Sequence, residues 1–458
     1  MSNPGEADAT PITSLRQLAE FIAAGCKPPE TWRIGTEHEK FGFRQSDLAP
    51  PPYEPDGIRD LLEALAAQAG WRRISDNGRI IGLSQDGASI SLEPGGQFEL
   101  SGAPLADLHA TEAELAAHFA ALRAVAAPRG LGFAPLGFHP LARREDMPWM
   151  PKSRYAIMRR YMPTRGSLGL DMMLRTCTVQ VNLDYGSEAD MVRKFRVGLL
   201  LQPVATALFA NSPFTEGRPN GLLSARARVW TDTDPDRTGI PAVAFEDGFG
   251  FERYVDWLLD VPMYFVLRDG QYVDLAGQSF RRHLEGRLEA PPGSPPLGPA
   301  TLGDFADHMT TVFTDVRLKR FLEMRGADAG SPAMMLAQSA LWVGLLYDPA
   351  ALEAAWALVR RRPWQDYAAL RPLVPRLGLE TPWQGGRLRD LAREVVAIAE
   401  QGLSARARLD AAGRDERRYL APLAAIVAGA PTQAEHWLKQ YQGMWAGDVR
   451  HILRDAQV

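Results

Sequence analysis

Four short segments of the chain carry polar side chains at a spacing that gathers them on one face of a strand. In GTEHEKFGF, Glu37 and Glu39 are two residues apart, so on an extended backbone both leave one face while His38 and Lys40 leave the other. Two carboxylates held side by side repel unless a divalent cation lies between them or one stays protonated; a solvated strand face would show the same pattern. In EPGGQFEL, Glu93, Gln97 and Glu99 share parity, Phe98 and Leu100 point away, and Gly95-Gly96 permits a tight turn or a close approach to a ligand. TCTVQVNLDY sets Thr176, Thr178, Gln180 and Asn182 against Cys177, Val179, Val181 and Leu183, and polar groups in so apolar a run are costly without a partner. RLKRFLEMRGAD places Glu323 and Arg325 together opposite Leu322 and Met324. That pair is either a salt bridge or a metal-holding carboxylate beside a guanidinium that neutralises a transferring phosphoryl group.

Oxygen donors without clustered His or Cys point to magnesium or manganese, and phosphoryl transfer from ATP is the chemistry that uses them. The chain has no G-x-x-x-x-G-K-[ST] loop, and the glycines of EDGFGFERY do not complete G-x-G-x-x-G, so cations on a carboxylate-faced sheet must take over the phosphate-binding role. Two further segments supply cations and aromatics: PKSRYAIMRRYMPTRG with Arg154 and Tyr155, and LLSARARVWTDTDPDRTG with Arg226 and Trp230. Either can present a bidentate Arg to an amino-acid carboxylate, and either can be a solvated basic loop.

These segments need a sheet with helices behind it. TSLRQLAEFIAAG and DGIRDLLEALAAQAGW begin near Ser or Asp and end at Gly, with apolar residues at three-to-four spacing, which predicts amphipathic helices. A long helix is expected from Glu188 to Ala210, kinked at Pro203, and APPGSPPLGPAT reads as a surface loop. Residues from Ser331 onward read as a helical layer over about 331–458, within a single catalytic domain spanning 13–458 and preceded by a loose tail over 1–12. With 458 residues, 46% hydrophobic and 23% charged, the chain has ample core. A net charge of −4 speaks against a nucleic-acid partner. The longest apolar stretch, from Val197 to Ala210, is interrupted by Gln202 and Pro203, which predicts no membrane span and a cytoplasmic protein. Only Cys26 and Cys177 occur, which excludes a disulfide scaffold and a thiolate zinc site.

Taken together, IGTEHEKFGF, SLEPGGQFELSG, DMMLRTCTVQVNLDY, ALFANSPFTEGRPNG, WTDTDPDRTG, FEDGFGFERYVDWLLDVPMYFV and RLKRFLEMRGAD resemble the plant and proteobacterial type of glutamate–cysteine ligase, in the same order over roughly residues 30 to 350. The resemblance implies an α+β, glutamine synthetase-like fold, with a curved antiparallel sheet of about six strands backed by helices. Carried over, it puts magnesium ligands on Glu37, Glu39, Glu93, Glu99, Gln180 and Glu323, a phosphate-stabilising role on Arg325, and a nucleotide or phosphate contact on Asn182. Arg154, Tyr155, Arg226 and Trp230 fall in segments similar to the glutamate pocket. The activity implied is ATP-dependent joining of the glutamate γ-carboxylate to the cysteine amine through an acyl phosphate. On this reading Glu37→Gln or Glu323→Gln abolishes ATP turnover without unfolding the chain. Two cysteines are too few for the disulfide switch of plant members, so a monomer or weak homodimer handling small molecules is expected. Fold and metal site do not choose the acceptor amine, and a binding protein that kept the fold would share much of the pattern.

Overall fold

A computed structural model describes residues 8–458. The alternating segments become one antiparallel sheet of nine strands, more than the six expected. Its strands are β1 (Ile34–Arg44), β2 (Arg72–Asp76), β3 (Arg79–Gln85), β4 (Ala88–Leu92), β5 (Phe98–Ser101), β6 (Leu131–Ala134), β7 (Thr178–Leu183), β8 (Val316–Leu318) and β9 (Leu322–Asp328). They lie in the order β8-β9-β7-β1-β5-β4-β3-β2, with β6 paired to the far half of β1. ISLEPGGQFELSG forms two strands joined by a turn rather than one, and the short β2, β6 and β8 carry little alternation of their own.

Register puts the chemistry in rows. Glu37 pairs with Gln180 on one side and Ser101 on the other, Glu39 pairs with Glu99, and Glu323 pairs with Asn182 and with Arg317. Side chains of opposite parity turn into the core. Val179, Val181 and Leu183 of β7 are each at most 1% exposed, and burying each contributes about 1.5–3 kcal/mol. Such a face cannot slip by one residue without exchanging the apolar and carboxylate sets.

Helices cover the apolar face. α1 (Leu15–Ala23) starts where the Ser14 hydroxyl accepts from the Gln17 amide, and α2 (Ile58–Ala69) ends at Gly70 in the left-handed region. α3 (Leu108–Ala126) packs beside α2 and against β1 and β6. The helix α5 (Glu188–Leu208) runs unbroken through Pro203 against β9, and between α3 and it in sequence lies α4 (Arg154–Tyr161). Residues 8–12, expected to belong to a loose tail, instead bond to the 300–303 segment through Ile12 N to Ala300 O, Leu302 N to Thr10 O and Gly303 N to Asp8 O; the rest of that tail lies outside the described residues. No described helix is long and apolar enough to cross a membrane.

Beyond α6 (Ala225–Val229) and α7 (Leu302–Thr310), the last third is helical apart from a two-residue hairpin at Pro382–Trp383 and Gly386–Arg387. Within it α8 (Pro332–Leu346) lies on β7 and α9 (Leu388–Arg406) lies on α8. These two helices cross backbone to backbone: a Cβ on Gly344 would fall 2.3 Å from Ala399 O, and one on Gly402 1.9 Å from Gly344 O. Gly344→Ala should therefore push the helices apart at a cost of about 1–3 kcal/mol, read as a lower melting temperature with unchanged activity per folded molecule. An unchanged melting temperature would show that this crossing is slack.

Candidate active site

On the sheet's polar face lies a cleft of about 800 Å³, open to solvent, lined by Glu39, Glu99, Gln180 and Arg325 from the sheet, by Glu93 from the turn between β4 and β5, and by Arg154, Tyr155, Arg226 and Trp230 around it. Glu37, Asn182 and Glu323 lie one row further along, beside the cleft rather than in its wall. Nine of the twelve residues singled out from sequence thus share one space.

Each carboxylate is held differently. Glu37 Oε1 accepts from Asn182 Nδ2 at 2.7 Å and its Oε2 from Gln180 Nε2 at 3.4 Å. Glu39 Oε2 accepts from the Thr178 amide at 2.9 Å, and Glu99 accepts from the hydroxyls of Ser91 at 2.7 Å and Ser101 at 3.0 Å. Glu93 stands on the turn between β4 and β5, not on a strand. Gln97 pins that turn: its Oε1 accepts from Gly95 N, and its Nε2 donates to the carbonyls of Met173 and Thr176. Glycine is required at the contact, since a Cβ on Gly95 would lie 2.3 Å from Leu174 O. Gln97 is therefore a clasp for Glu93.

Burial, followed by the charges of Glu93 and Glu99, holds the Glu39 carboxyl well above the usual carboxylate range. A group whose pKa is raised by folding stabilises fully below its unfolded value, and that contribution is lost as pH rises towards the raised one. Glu39→Gln removes the loss while keeping an acceptor for Thr178. Without divalent ions the variant should melt higher than the native protein at about pH 8, and the difference should vanish near about pH 4. Melting curves in chelator measure this; a lower melting temperature for Glu39→Gln at the higher pH would contradict it.

Glu323 has the opposite surroundings. Burial pulls its pKa up, but Arg317, Lys319 and Arg325 overcome that and hold the carboxyl well below the usual range. Arg317 Nη2 donates to both oxygens at 2.6 and 2.9 Å, Lys319 Nζ lies 2.5 Å from Oε2, and Arg325 Nη1 bonds to Oε1 and to Gln180 Oε1. Three cations on one carboxylate leave this end of the site positive. Arg317 and Lys319 stand in the RLKRFLEMR segment but were not picked out, because their meeting with Glu323 depends on the β8–β9 hairpin pairing Arg317 with it.

The basic segments contribute buried groups, not solvated loops. Arg226 is 3% exposed, and its Nη2 donates to Arg325 O at 2.8 Å. Its short helix α6 is capped by Ser224, whose hydroxyl also reaches Asp328 at 2.7 Å; Asp328 accepts from Ser212 and from the Asn211 amide as well. This buried carboxylate, overlooked in the sequence, ties the segment bearing Arg226 and Trp230 to β9. Tyr155 spends its hydroxyl on Leu92 O, so it offers the cleft its ring. Arg154 Nε, Trp230 Nε1 and Asn182 Oδ1 are buried without a hydrogen-bond partner. Orphaned polar atoms beside a cleft are costly unless a ligand satisfies them.

As a donor set for magnesium, the hard oxygens of Glu39, Glu93 and Glu99 and their mutual repulsion fit the ion's chemistry. Among the described residues, no three such side chains converge closely enough to hold an ion as they stand. At Glu323 the fit further requires one of its three cations to move.

A sheet that gathers carboxylates and guanidinium groups around one cleft suits a ligase that joins a carboxylate to an amine. The family model for glutamate–cysteine ligase family 2 matches residues 33–455. The chloroplastic glutamate–cysteine ligase of Brassica juncea is 52% identical over 447 residues, 98% of this chain and 85% of that protein. The enzyme of Medicago truncatula is 50% identical over 445 residues, 97% and 85% of the two chains. In fold, the chain is similar to the crystal structure of the Francisella tularensis glutamate–cysteine ligase in complex with AMP, with a TM-score of 0.54, 12% identity, and coverage of 93% of this chain and 88% of that one. The chain belongs to glutamate–cysteine ligase family 2 and joins glutamate to cysteine, the first step of glutathione synthesis. This settles the acceptor amine that fold and metal site left open. The expected cytoplasmic location is corrected, because the relatives are named as chloroplastic proteins.

Proposed function

We propose that the ligation is driven by ATP: the glutamate γ-carboxylate takes the γ-phosphoryl group to give γ-glutamyl phosphate, the cysteine amine attacks the acyl carbon, and the tetrahedral intermediate expels phosphate. The observation that carries this reading is that one cleft brings together three carboxylates, Glu39, Glu93 and Glu99, and three guanidinium groups, Arg154, Arg226 and Arg325. Two anions, the substrate carboxylate and the triphosphate, must approach each other, and only a site offering cations at the point of contact lowers that barrier.

Bound magnesium or manganese would supply charge neutralisation on the triphosphate, held by Glu39, Glu93 and Glu99 with Glu37, Gln180 and Glu323 in the adjoining rows. Arg325 offsets the charge that develops on the transferring phosphoryl group, with a planar fork suited to two oxygens. Arg154 and Arg226 clamp the glutamate α-carboxylate between the rings of Tyr155 and Trp230. Asn182, its Oδ1 open to a donor, contacts the nucleotide or a phosphate. The chain acts as one catalytic domain over 13–458 whose helical layer is scaffolding, as a monomer or weak homodimer with small-molecule substrates and no nucleic-acid or membrane partner. With Cys26 and Cys177 its only cysteines, the chain is expected to lack the disulfide switch of the plant members.

Glutamate labelled with ¹⁸O in its γ-carboxylate tests the intermediate. One labelled oxygen should appear in the released phosphate at each turnover, and phosphate without label would rule the acyl phosphate out.

A further inference from the structure

Resting on the reading of Arg154 as part of the clamp on the glutamate α-carboxylate, we infer that Asp76, at the tip of the sheet's outermost hairpin, is a positioning residue for that clamp: it fixes the start of α4 and so the place of the Arg154 guanidinium in the cleft.

Most of that hairpin tip faces solvent. β2 is the edge strand of the sheet, and Asn77-Gly78, both in the left-handed region, turn the chain into β3. Ser75, Asn77, Gly78 and Arg79 are exposed, whereas Asp76 is half-buried. The ladder is irregular just before it. Pairing of β2 with β3 shifts register between Ile74 and Ser75, so Asp76 stands opposite Arg79 where unbroken pairing would set it opposite Ile80. A bulge of this kind re-aims a side chain. The Asp76 carboxylate reaches Ser153, 77 residues further along the chain, and its Oδ2 accepts from the Ser153 amide at 2.7 Å and from the Ser153 hydroxyl at 2.8 Å.

α4 has no local cap to do this work. The Ser153 hydroxyl bonds to no amide of the helix, and no acidic residue stands in the first turn. The first amides of a helix have no partner within it, so a carboxylate brought to its start supplies an acceptor and faces the positive end of the helix dipole. The helix opens with Arg154 and Tyr155, both in the cleft wall. Tyr155 is anchored through its hydroxyl to Leu92 O at 2.7 Å and Ser153 through Asp76, so Arg154 lies between two anchored residues. With Nε buried and unbonded, its guanidinium takes its place in good part from the backbone that carries it. A displacement of ~1 Å in a substrate-positioning group can cost on the order of 10²-fold in rate, which makes the tether matter at the cleft and not only at the hairpin.

Initial rates of the full chain, with glutamate, ATP and cysteine varied in turn, test the tether. Asp76→Ala should raise the KM for glutamate about tenfold, the scale of a lost helix cap, while kcat and the KM for ATP stay at native values. Asp76→Asn sets an amide oxygen where Oδ2 stands and should recover most of the loss; an effect of charge alone would leave the Asn and Ala variants alike. Ser153→Ala keeps the amide bond and loses the hydroxyl bond, so it should fall between the native chain and Asp76→Ala. In Arg154→Met the KM for glutamate should rise further, and adding Asp76→Ala to it should change little, because both act through one group. An unchanged KM for glutamate in Asp76→Ala beside a raised one in Arg154→Met, additive losses in the double variant, or equal losses in Asp76→Asn and Asp76→Ala would each overturn the role given to Asp76. An unchanged KM for glutamate in Arg154→Met would instead remove the clamp itself, and the role of Asp76 with it.

Discussion

Glu323→Gln is expected to lose both stability and turnover, unlike the same change at Glu37. Gln at 323 keeps the shape but removes the one negative charge shared by Arg317, Lys319 and Arg325, three groups that sit in a buried pocket. Breaking a buried ion pair by deleting one partner typically costs about 3–5 kcal/mol, because the remaining charge is left desolvated. At Glu37 the partners are neutral amides, Asn182 and Gln180, so Glu37→Gln should fold normally and fail only in turnover. Sequence reasoning expected both variants to stay folded; the cation cluster separates them. Denaturant melts of the two variants give the comparison, and equal stability would show that the cations around Glu323 are compensated elsewhere. Stability contributed by Glu323 is present above its unfolded carboxyl pKa and is lost as pH falls towards the depressed folded value, so the gap between the variant and the native protein should narrow in acid.

Arg325→Lys should lower kcat by a factor on the order of 10³ or more, the scale seen when a transition-state arginine is lost in phosphoryl transfer. An ammonium carries the same charge but cannot span two phosphoryl oxygens as the guanidinium does. The substitution removes no core packing, since the Arg325 side chain faces the cleft, so circular dichroism and melting should be unchanged. A kcat within tenfold of the native value, with KM raised instead, would move Arg325 from the transition state to ground-state binding.

Much of the site was legible because strand parity is a local property. Glu37 and Glu39, Glu99, Gln180 and Asn182, and Glu323 and Arg325 needed only the period of two to be placed on one face, and register then joined them across β9, β7, β1 and β5. Glu93 lines the cleft from a turn and not from a strand, because the tight turn that Gly95-Gly96 permits falls between it and the parity partners Gln97 and Glu99. What sequence did not reveal is made by long-range pairing. Arg317 meets Glu323 through a hairpin, Asp328 meets Ser212 and Ser224 across more than a hundred residues of chain, and Gln97 clasps a loop 76 and 79 residues away. The long helix was readable from its apolar run, yet the expected kink at Pro203 does not break it, because packing against β9 holds the helix on both sides of that residue.

The most direct test of the account is phosphate release from ATP and magnesium with glutamate, with and without cysteine, with the product identified by mass. Cysteine-dependent release of one phosphate per γ-glutamylcysteine, lost in Arg325→Lys and in Glu37→Gln, is the predicted result. Peptide formation without ATP consumption, or ATP turnover unaffected by either substitution, would contradict it.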